Sequence, residues 1–300
     1  MEGFFQLLLN GTALGSIYAL IALGYTLVYG ILSLINFAHG DLVMVGAYSG
    51  LFASLALGAA EHPSPGRLLL VLLIAMLSSA LVGLVIERFA YRPLRHVPRL
   101  NLLITAVGVS LLLENLGQVF FGATPRVFPD ILPSLNLVQI DEVAITNQQA
   151  VVFGTALGLM VVLEWIVQKT QLGRAMRAVA HSHETAALVG IPVDFVIAFT
   201  FAVGSALAAA AGVLIGVSYP RVDPLMGIMI GMKAFVAAVL GGIGSIRGAV
   251  VGGFLMGILE AMVVGYGSST YRDALAFIIL ILILLLKPAG LFGKYQPEKV

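Results

Sequence analysis

Cysteine is missing from the 300 residues, and Asp, Glu, Lys and Arg together supply only 10% of them. The first absence excludes disulfides and thiolate metal sites. The second excludes an ordinary water-soluble domain, in which about 25% of residues are charged. A formal net charge of +1 offers no basic field for nucleic acid. Three sequence patterns are also absent: G-x-x-x-x-G-K-[ST], H-E-x-x-H and G-x-S-x-G. The chain therefore lacks the phosphate-cradling loop that ATP hydrolysis needs, and it lacks the nucleophile or metal arrangements of those enzyme classes. No filter-like or charged-ring motif marks a channel, and no convincing internal repeat is present.

What is abundant is apolar surface: 60% of residues are hydrophobic, and the mean hydropathy is +1.04. Crossing about 30 Å of hydrocarbon takes roughly 20 helical residues. Segments of that length lie near 6 to 33, 42 to 60, 67 to 87, 101 to 121, 149 to 168, 194 to 217, 226 to 244, 248 to 266 and 273 to 290. All are expected to be helices, because an open sheet leaves unpaired edges in lipid and a barrel strand would alternate polar with apolar, which Phe277 to Leu286 does not. The fold class is an all-α, polytopic transmembrane bundle of eight or nine spans forming one domain over 1 to 300. The eighth segment is expected to be partial or re-entrant if the count is eight, and the ninth is uninterrupted only from Ala274 to Leu286. Met1 to Gly11 holds Glu2, no basic cluster and no early small-residue cleavage site, so a retained first span is expected instead of a removable signal.

Orientation follows from Lys and Arg beside the spans. Arg88, Arg92, Arg95 and Arg99 crowd one linker, Lys169, Arg174 and Arg177 a second, and Lys287, Lys294 and Lys299 the last. These regions are expected on the cytoplasmic side of the cell inner membrane. The stretch from Gly122 to Asn147, with Asp130, Asp141, Glu142 and three prolines, Pro125, Pro129 and Pro133, reads as the outer loop. Nine crossings with an outside N-terminus satisfy all of these placements. Glycines spaced by four, as at Gly11 and Gly15, Gly46 and Gly50, Gly154 and Gly158, Gly212 and Gly216, Gly227 and Gly231, Gly248 and Gly252, and Gly253 and Gly257, imply close helix packing.

Leu172 to Gly190 breaks this pattern. Leu172, Ala175, Met176, Val179 and Ala180 follow helical spacing, while Arg174, Arg177, His181 and Glu184 step along the other face. One short amphipathic helix is expected, stopped by Gly190 and Pro192. Its Arg residues come first and its Glu last, against the helix dipole, which favours a partner surface over intrinsic stability. The alternative, a helix lying on lipid headgroups, would prefer more Lys and Arg and a Trp or Phe on the apolar face.

Three blocks in this order resemble LivH-type permeases of branched-chain amino-acid ATP-binding-cassette importers: NFAHGDLVMVGAY from Asn36 to Tyr48, the run from Thr170 to Gly216 that opens TQLGRAMRAVAHSHETAALVG, and GMKAFVAAVLGGIGSIRGAVVGG from Gly231 to Gly253. The likeness covers nearly the whole chain. It departs from the family at His181 and Ser182, where such loops commonly carry acidic or amide residues. The resemblance implies a coupling helix of Leu172, Gly173, Arg174, Met176, Arg177, His181, Glu184, Leu188 and Gly190 that transmits force. It further implies a second, LivM-like permease subunit, two cytoplasmic ATPase subunits that bind ATP and Mg, an external substrate-binding protein, and inward movement of branched-chain or related amino acids. No cofactor is expected on this chain.

Polar residues inside spans are expected to face protein or water, since a mid-membrane charge costs at least about 2.5 kcal/mol. They are Glu114 and Asn115 in the fourth segment, Lys233 in the seventh and Glu260 in the eighth. Lys233 is expected to be neutralised by Glu114 or Glu260. Between the first two spans Asn36, His39, Gly40 and Asp41 form a polar break, with Asp41 expected to cap the next helix and His39 to be a hydrogen-bonded structural residue. His181 and His183, two apart, point to different helix faces and make no metal site. The turns SYPRVDP (Ser218 to Pro224) and Gly241 to Gly244 with Arg247 are connections or gates. The rival class, an ion-coupled secondary transporter of a small amphipathic solute, could use Glu114 and Glu260 but would not need the amphipathic helix.

Overall fold

The computed structural model describes residues 2–32, 34–95, 97–132, 135–140 and 143–293. Pro133, Asp141, Glu142, Lys294 and Lys299 lie outside the described residues. All nine apolar segments are helices: α1 (Glu2–Leu32), α2 (His39–Ala56), α3 (Pro65–Ile86), α4 (Arg99–Phe121), α5 (Asn147–Lys169), then, after the amphipathic segment, α8 (Val193–Ser218), α9 (Met226–Gly241), α10 (Ile246–Tyr266) and α11 (Arg272–Leu286). The amphipathic segment itself forms α6 (Gln171–His181) and α7 (His183–Leu188). Helix starts follow ordinary capping chemistry. Ser64 accepts from the Arg67 N–H ahead of Pro65, Thr146 and Gln149 form a reciprocal capping box on α5, and Ser245 accepts from the Gly248 N–H at the start of α10.

Among the described residues seven helices are long and apolar enough to cross a membrane. The eighth segment is one of them: α10 runs 21 residues without a break, so it is not the partial span. The short helices are α9, with 16 residues, and α2, with 18 and a polar first turn. At 1.5 Å per residue α9 reaches about 24 Å, less than a hydrocarbon core. Helices α1 and α10 run antiparallel, with Gly11 against Ile258 and Ala19 against Gly253. One end of the bundle carries α6 and α7; the other carries two small antiparallel pairs, Arg126–Val127 with Arg221–Val222 and Asn136–Ile140 with Val143–Thr146.

Helix α1 runs through the centre with most of its span buried, and α4 lies at the edge with little cover from its own chain. Close contact is achieved by removing side chains. An added Cβ on Gly257 would strike the backbone of Gly15, and one on Gly253 the backbone of Ala19, which lets α1 and α10 touch along their length. Likewise Gly46 of α2 meets Ala209 of α8, within a buried Ala208 to Ala211 run, and Gly40 meets Gly227 and Gly231 of α9. Of the seven glycine pairs read from the sequence, only Gly154 and Gly158 have open space around them.

The connection between α1 and α2 does not stay at the end of the bundle. The His39 ring packs against Gly24 of α1, eight residues or about 12 Å of helix before Leu32. Residues 34–38 therefore fold back into the bundle, and the first turns of α2 and α9 meet inside it. Replacing Gly257 with Ala forces α1 and α10 apart; overpacking of this kind costs about 1–3 kcal/mol, so the midpoint for survival of heated, detergent-purified protein on size-exclusion chromatography should fall. Gly154→Ala, with nothing within 4 Å, should leave that midpoint unchanged.

Candidate translocation path and coupling segment

The polar break is buried. Asn36, His39 and Asp41 are all 2% exposed or less. Tyr91, in the π turn Glu87–Tyr91 that continues α3, donates its hydroxyl to Asn36 Oδ1 at 2.7 Å. The Tyr25 ring meets His39 edge-on at 4.6 Å. His39 Nε2 has no hydrogen-bond partner among the described residues, and the ring is seated against Gly24 of α1. Asp41 does not cap α2 either. The cap position is Ala38, which makes no side-chain bond, and Asp41 sits inside the first turn. Its carboxylate turns toward α4, because the close approach of α2 to α9 leaves that side open. Ser110 Oγ lies 2.5 Å from Asp41 Oδ2 and 3.5 Å from Glu114 Oε1.

These groups line a cavity of about 90 Å³ between α1, α2, α4 and α9, walled by Tyr25, Phe37, Phe235 and the Gly227–Gly231 face. Among the described residues no Lys or Arg lines it. Two carboxylates on either side of one hydroxyl, beside aromatic faces, suit a positively charged or hydrogen-bond-donating group. Asn115 stands apart: its Nδ2 donates to the Leu111 carbonyl one turn back, and the residue faces outward. The spacing of Ser110 and Glu114, four apart on one helix face, was a sequence signal for this site that goes unread when only charged residues are weighed.

Lys233 finds Glu260, as one of the two expected partners, and not Glu114. Its Nζ lies 3.1 Å from Glu260 Oε1 and 2.7 Å from Asp273 Oδ1. Glu260, wholly buried, also accepts from Arg272 and, at 2.9 Å, from the Tyr18 hydroxyl. Two cations and two carboxylates thus close a neutral network joining α1, α9, α10 and α11. Arg272 and Asp273 are the first residues of α11 and read in sequence as ordinary end-of-helix charges, which hid their role.

The segment after α5 is two helices and not one. Ser182 is extended, with φ −161° and ψ 122°, and its side chain accepts from the Thr185 N–H to start α7. Gly173, Met176 and Val179 form the buried stripe of α6, with Leu172 and Ala175 partly covered and Ala180 exposed. Arg174, His181, Glu184, Leu188 and Gly190 face outward. Arg177 is exposed with the rest of the outer row, and its guanidinium also donates to the Val167 carbonyl at the end of α5. His183 Nε2 lies 2.8 Å from the Ile31 carbonyl, tying α7 to the last turn of the central helix. Beside this segment Arg92 and Arg95 engage Asp194 at the start of α8, and Arg95 also pairs with the buried Glu87. The turn at Gly241 to Gly244 is covered by the C-terminal segment, where the Leu291 and Phe292 N–H groups donate to Leu240 and Gly241 carbonyls. SYPRVDP supplies the strand that pairs with Arg126–Val127.

A helical membrane bundle with polar groups buried among its spans, and a two-helix amphipathic segment laid across one end, defines a permease subunit of a transport system. The family model described as "Branched-chain amino acid transport system / permease component" matches residues 7–284. The chain belongs to this family, the LivH-type permeases that form membrane subunits of ATP-binding-cassette importers. It is 43% identical to the high-affinity branched-chain amino acid transport system permease protein LivH of Salmonella typhimurium, over 99% of this chain and 98% of that one. It is 41% identical to BraD of Pseudomonas aeruginosa over the same shares, and 29% identical to a probable LivH of Methanocaldococcus jannaschii over 96% and 92%. The chain is thus a transport subunit and not an enzyme, with ATP hydrolysed on separate subunits.

Removing one side of a buried ion pair strands the other, at about 3–5 kcal/mol. Glu260→Gln leaves Lys233 and Arg272 with only Asp273 between them, whereas Lys233→Met leaves Glu260 still held by Arg272 and Tyr18. Glu260→Gln should therefore lower the thermal midpoint of the purified protein more than Lys233→Met. Equal or reversed losses would contradict the network as described.

Proposed function

We propose that this chain, in the cell inner membrane, forms half of a path that carries leucine, isoleucine, valine or closely related amino acids inward. The other half would be a second, LivM-like permease subunit. An external substrate-binding protein would deliver the substrate, and two cytoplasmic ATPase subunits, holding ATP and Mg, would drive the cycle from the end that carries α6 and α7. The observation that carries this reading is the form of that end: α6 is anchored by Gly173, Met176 and Val179, while Arg174, His181, Glu184 and Leu188 are left outward. A surface of mixed charge and apolar tips on a short, anchored helix pair suits a protein groove. The His183 contact with Ile31 gives movement of that pair a direct route into α1.

The path itself is assigned to the face of α4 that carries Ser110 and Glu114, together with Asp41, His39 and Asn36. A half-buried carboxylate on a span with little cover is costly against lipid and tolerable against a partner subunit or a water-filled path. The Asp41 and Glu114 carboxylates would attract the substrate ammonium group there. The network of Lys233 and Glu260 is assigned to holding the bundle together.

Vesicles containing this chain, its partner permease and the ATPases, supplied with binding protein and competing amino acids, should show uptake that follows ATP. Uptake that follows an ion gradient and ignores ATP would replace this reading with the secondary-transporter one. In the same vesicles Asp41→Asn combined with Glu114→Gln should cut the uptake rate by roughly tenfold or more, about 1.4 kcal/mol per factor of ten, while ATP hydrolysis continues. His183→Ala should lower the amount of amino acid taken up per ATP hydrolysed; an unchanged ratio would remove α7 from the coupling route.

A further inference from the structure

A second cavity, of about 290 Å³, lies under α6 and is lined by other residues than the Asp41 cavity. That volume falls at the low end of the range for small-molecule sites, roughly 300–1,000 Å³. Its roof is Met176, Arg177 and Ala180 of α6; its walls come from α1, α5 and the first turn of α10. Two buried polar atoms of residues that line it, on Thr26 and Glu164, have no hydrogen-bond partner among the described residues. Thr26, 2% exposed, lines the cavity, and its hydroxyl has no hydrogen-bond partner among the described residues. Glu164 Oε2 is buried and unpartnered in the same sense. Arg247 reaches Glu164 Oε1 only at 3.9 Å, beyond hydrogen-bond length, and remains largely exposed. Leu27, Ile31, Val167 and Ile246 supply the apolar part of the walls, and Gln168 and Ser245 add further polar groups.

From this arrangement we infer a binding site for a zwitterionic aliphatic amino acid between the coupling segment and the bundle. A buried donor or acceptor without a partner costs about 1–3 kcal/mol, a cost that a ligand supplying the partner would offset. A simple anion would meet the Glu164 carboxylate, and a simple cation would meet Arg177 and Arg247. A zwitterion answers both: its ammonium group donates to Glu164 Oε2 and Thr26 Oγ1, its carboxylate accepts from the Arg247 guanidinium, and its aliphatic side chain lies on Leu27, Ile31 and Met176. The site opens at the α6 end, so on the proposed orientation it samples the cytoplasmic amino-acid pool, the product side of import.

Occupancy has a mechanical consequence. The ligand touches α6 above and α1, α5 and α10 below, so it binds the arrangement in which α6 rests on the bundle better than one in which α6 has moved. By linkage, binding opposes the motion that import requires, and the product restrains its own uptake. The identity of the ligand rests on the importer reading above; the cavity and its unpaired groups do not.

The complete complex, in vesicles, tests this with leucine as the probe. Uptake into leucine-loaded vesicles should be slower than into empty ones by roughly fivefold or more, the low end of ordinary coupling between sites. Leucine amide and 4-methylpentanoate, each lacking one charge, should have little effect from inside. The loaded-to-empty ratio, taken within each variant, should return toward one in Glu164→Gln and in Arg247→Gln. A ratio near one in the unaltered protein, or the same inhibition in both variants, would overturn the site. Because the chain has no cysteine, Ala180→Cys provides a readout independent of transport: leucine should slow maleimide labelling of the purified complex without binding protein, and an unchanged rate would count against the site even if the vesicles transport normally. Vesicles that import no amino acid under any condition would instead defeat the importer reading, and the labelling result would still decide whether the cavity binds leucine.

Discussion

Inside a bilayer a polar group has to be satisfied by protein or by water within the protein, and every feature of this chain that is not simply apolar follows from that constraint. Glu260 is the sharpest case. Wholly buried, it is held by Lys233, Arg272 and Tyr18 from three other helices. Those partners come within reach only because glycine and alanine faces let the helices approach to backbone contact, with α1 lying along α10 through Gly11, Gly15, Gly253 and Gly257. The glycine content is thus linked to the buried charges: wider helix spacing would leave the same residues unpaired.

The second consequence of close packing is the return of residues 34–38 into the bundle. With Gly24 and Gly40 bare, His39 can seat against α1, and α2 can begin against the first turns of α9. Two helix N-termini then meet within the bundle beside Asp41, where their partial positive charge favours a carboxylate. The result is a polar cavity set among helices and not at the membrane surface. This is the arrangement by which membrane transporters in general place polar chemistry deep within an apolar bundle, with irregular backbone tolerated only where it lines a cavity.

At the end of the bundle that carries α6 and α7, the amphipathic segment is anchored along its length by Gly173, Met176, Val179 and Ala186. Arg177 reaches back to α5, His183 reaches to α1, and Ser182 breaks the helix between them. A break at this point lets α6 and α7 take different angles while the Thr170 and Ser182 side chains satisfy the first N–H groups of each. His181 closes α6, Ser182 is the break itself, and His183 opens α7.

Hydropathy alone located all nine apolar helices, because the solvent imposes the same demand on each of them: enough apolar length, with no unpaired backbone. The amphipathic period of Leu172 to Ala180 was legible for a similar reason, since a helix between water and a greasy surface must carry both faces. Which segments are short, where Asp41 points, that Lys233 shares Asp273 as well as Glu260, and that Arg177 reaches the Val167 carbonyl were decided only by the tertiary structure. These depend on which helices touch and at what level. A sequence records side chains in order along one strand of chain, whereas a buried polar group chooses its partner by distance across several.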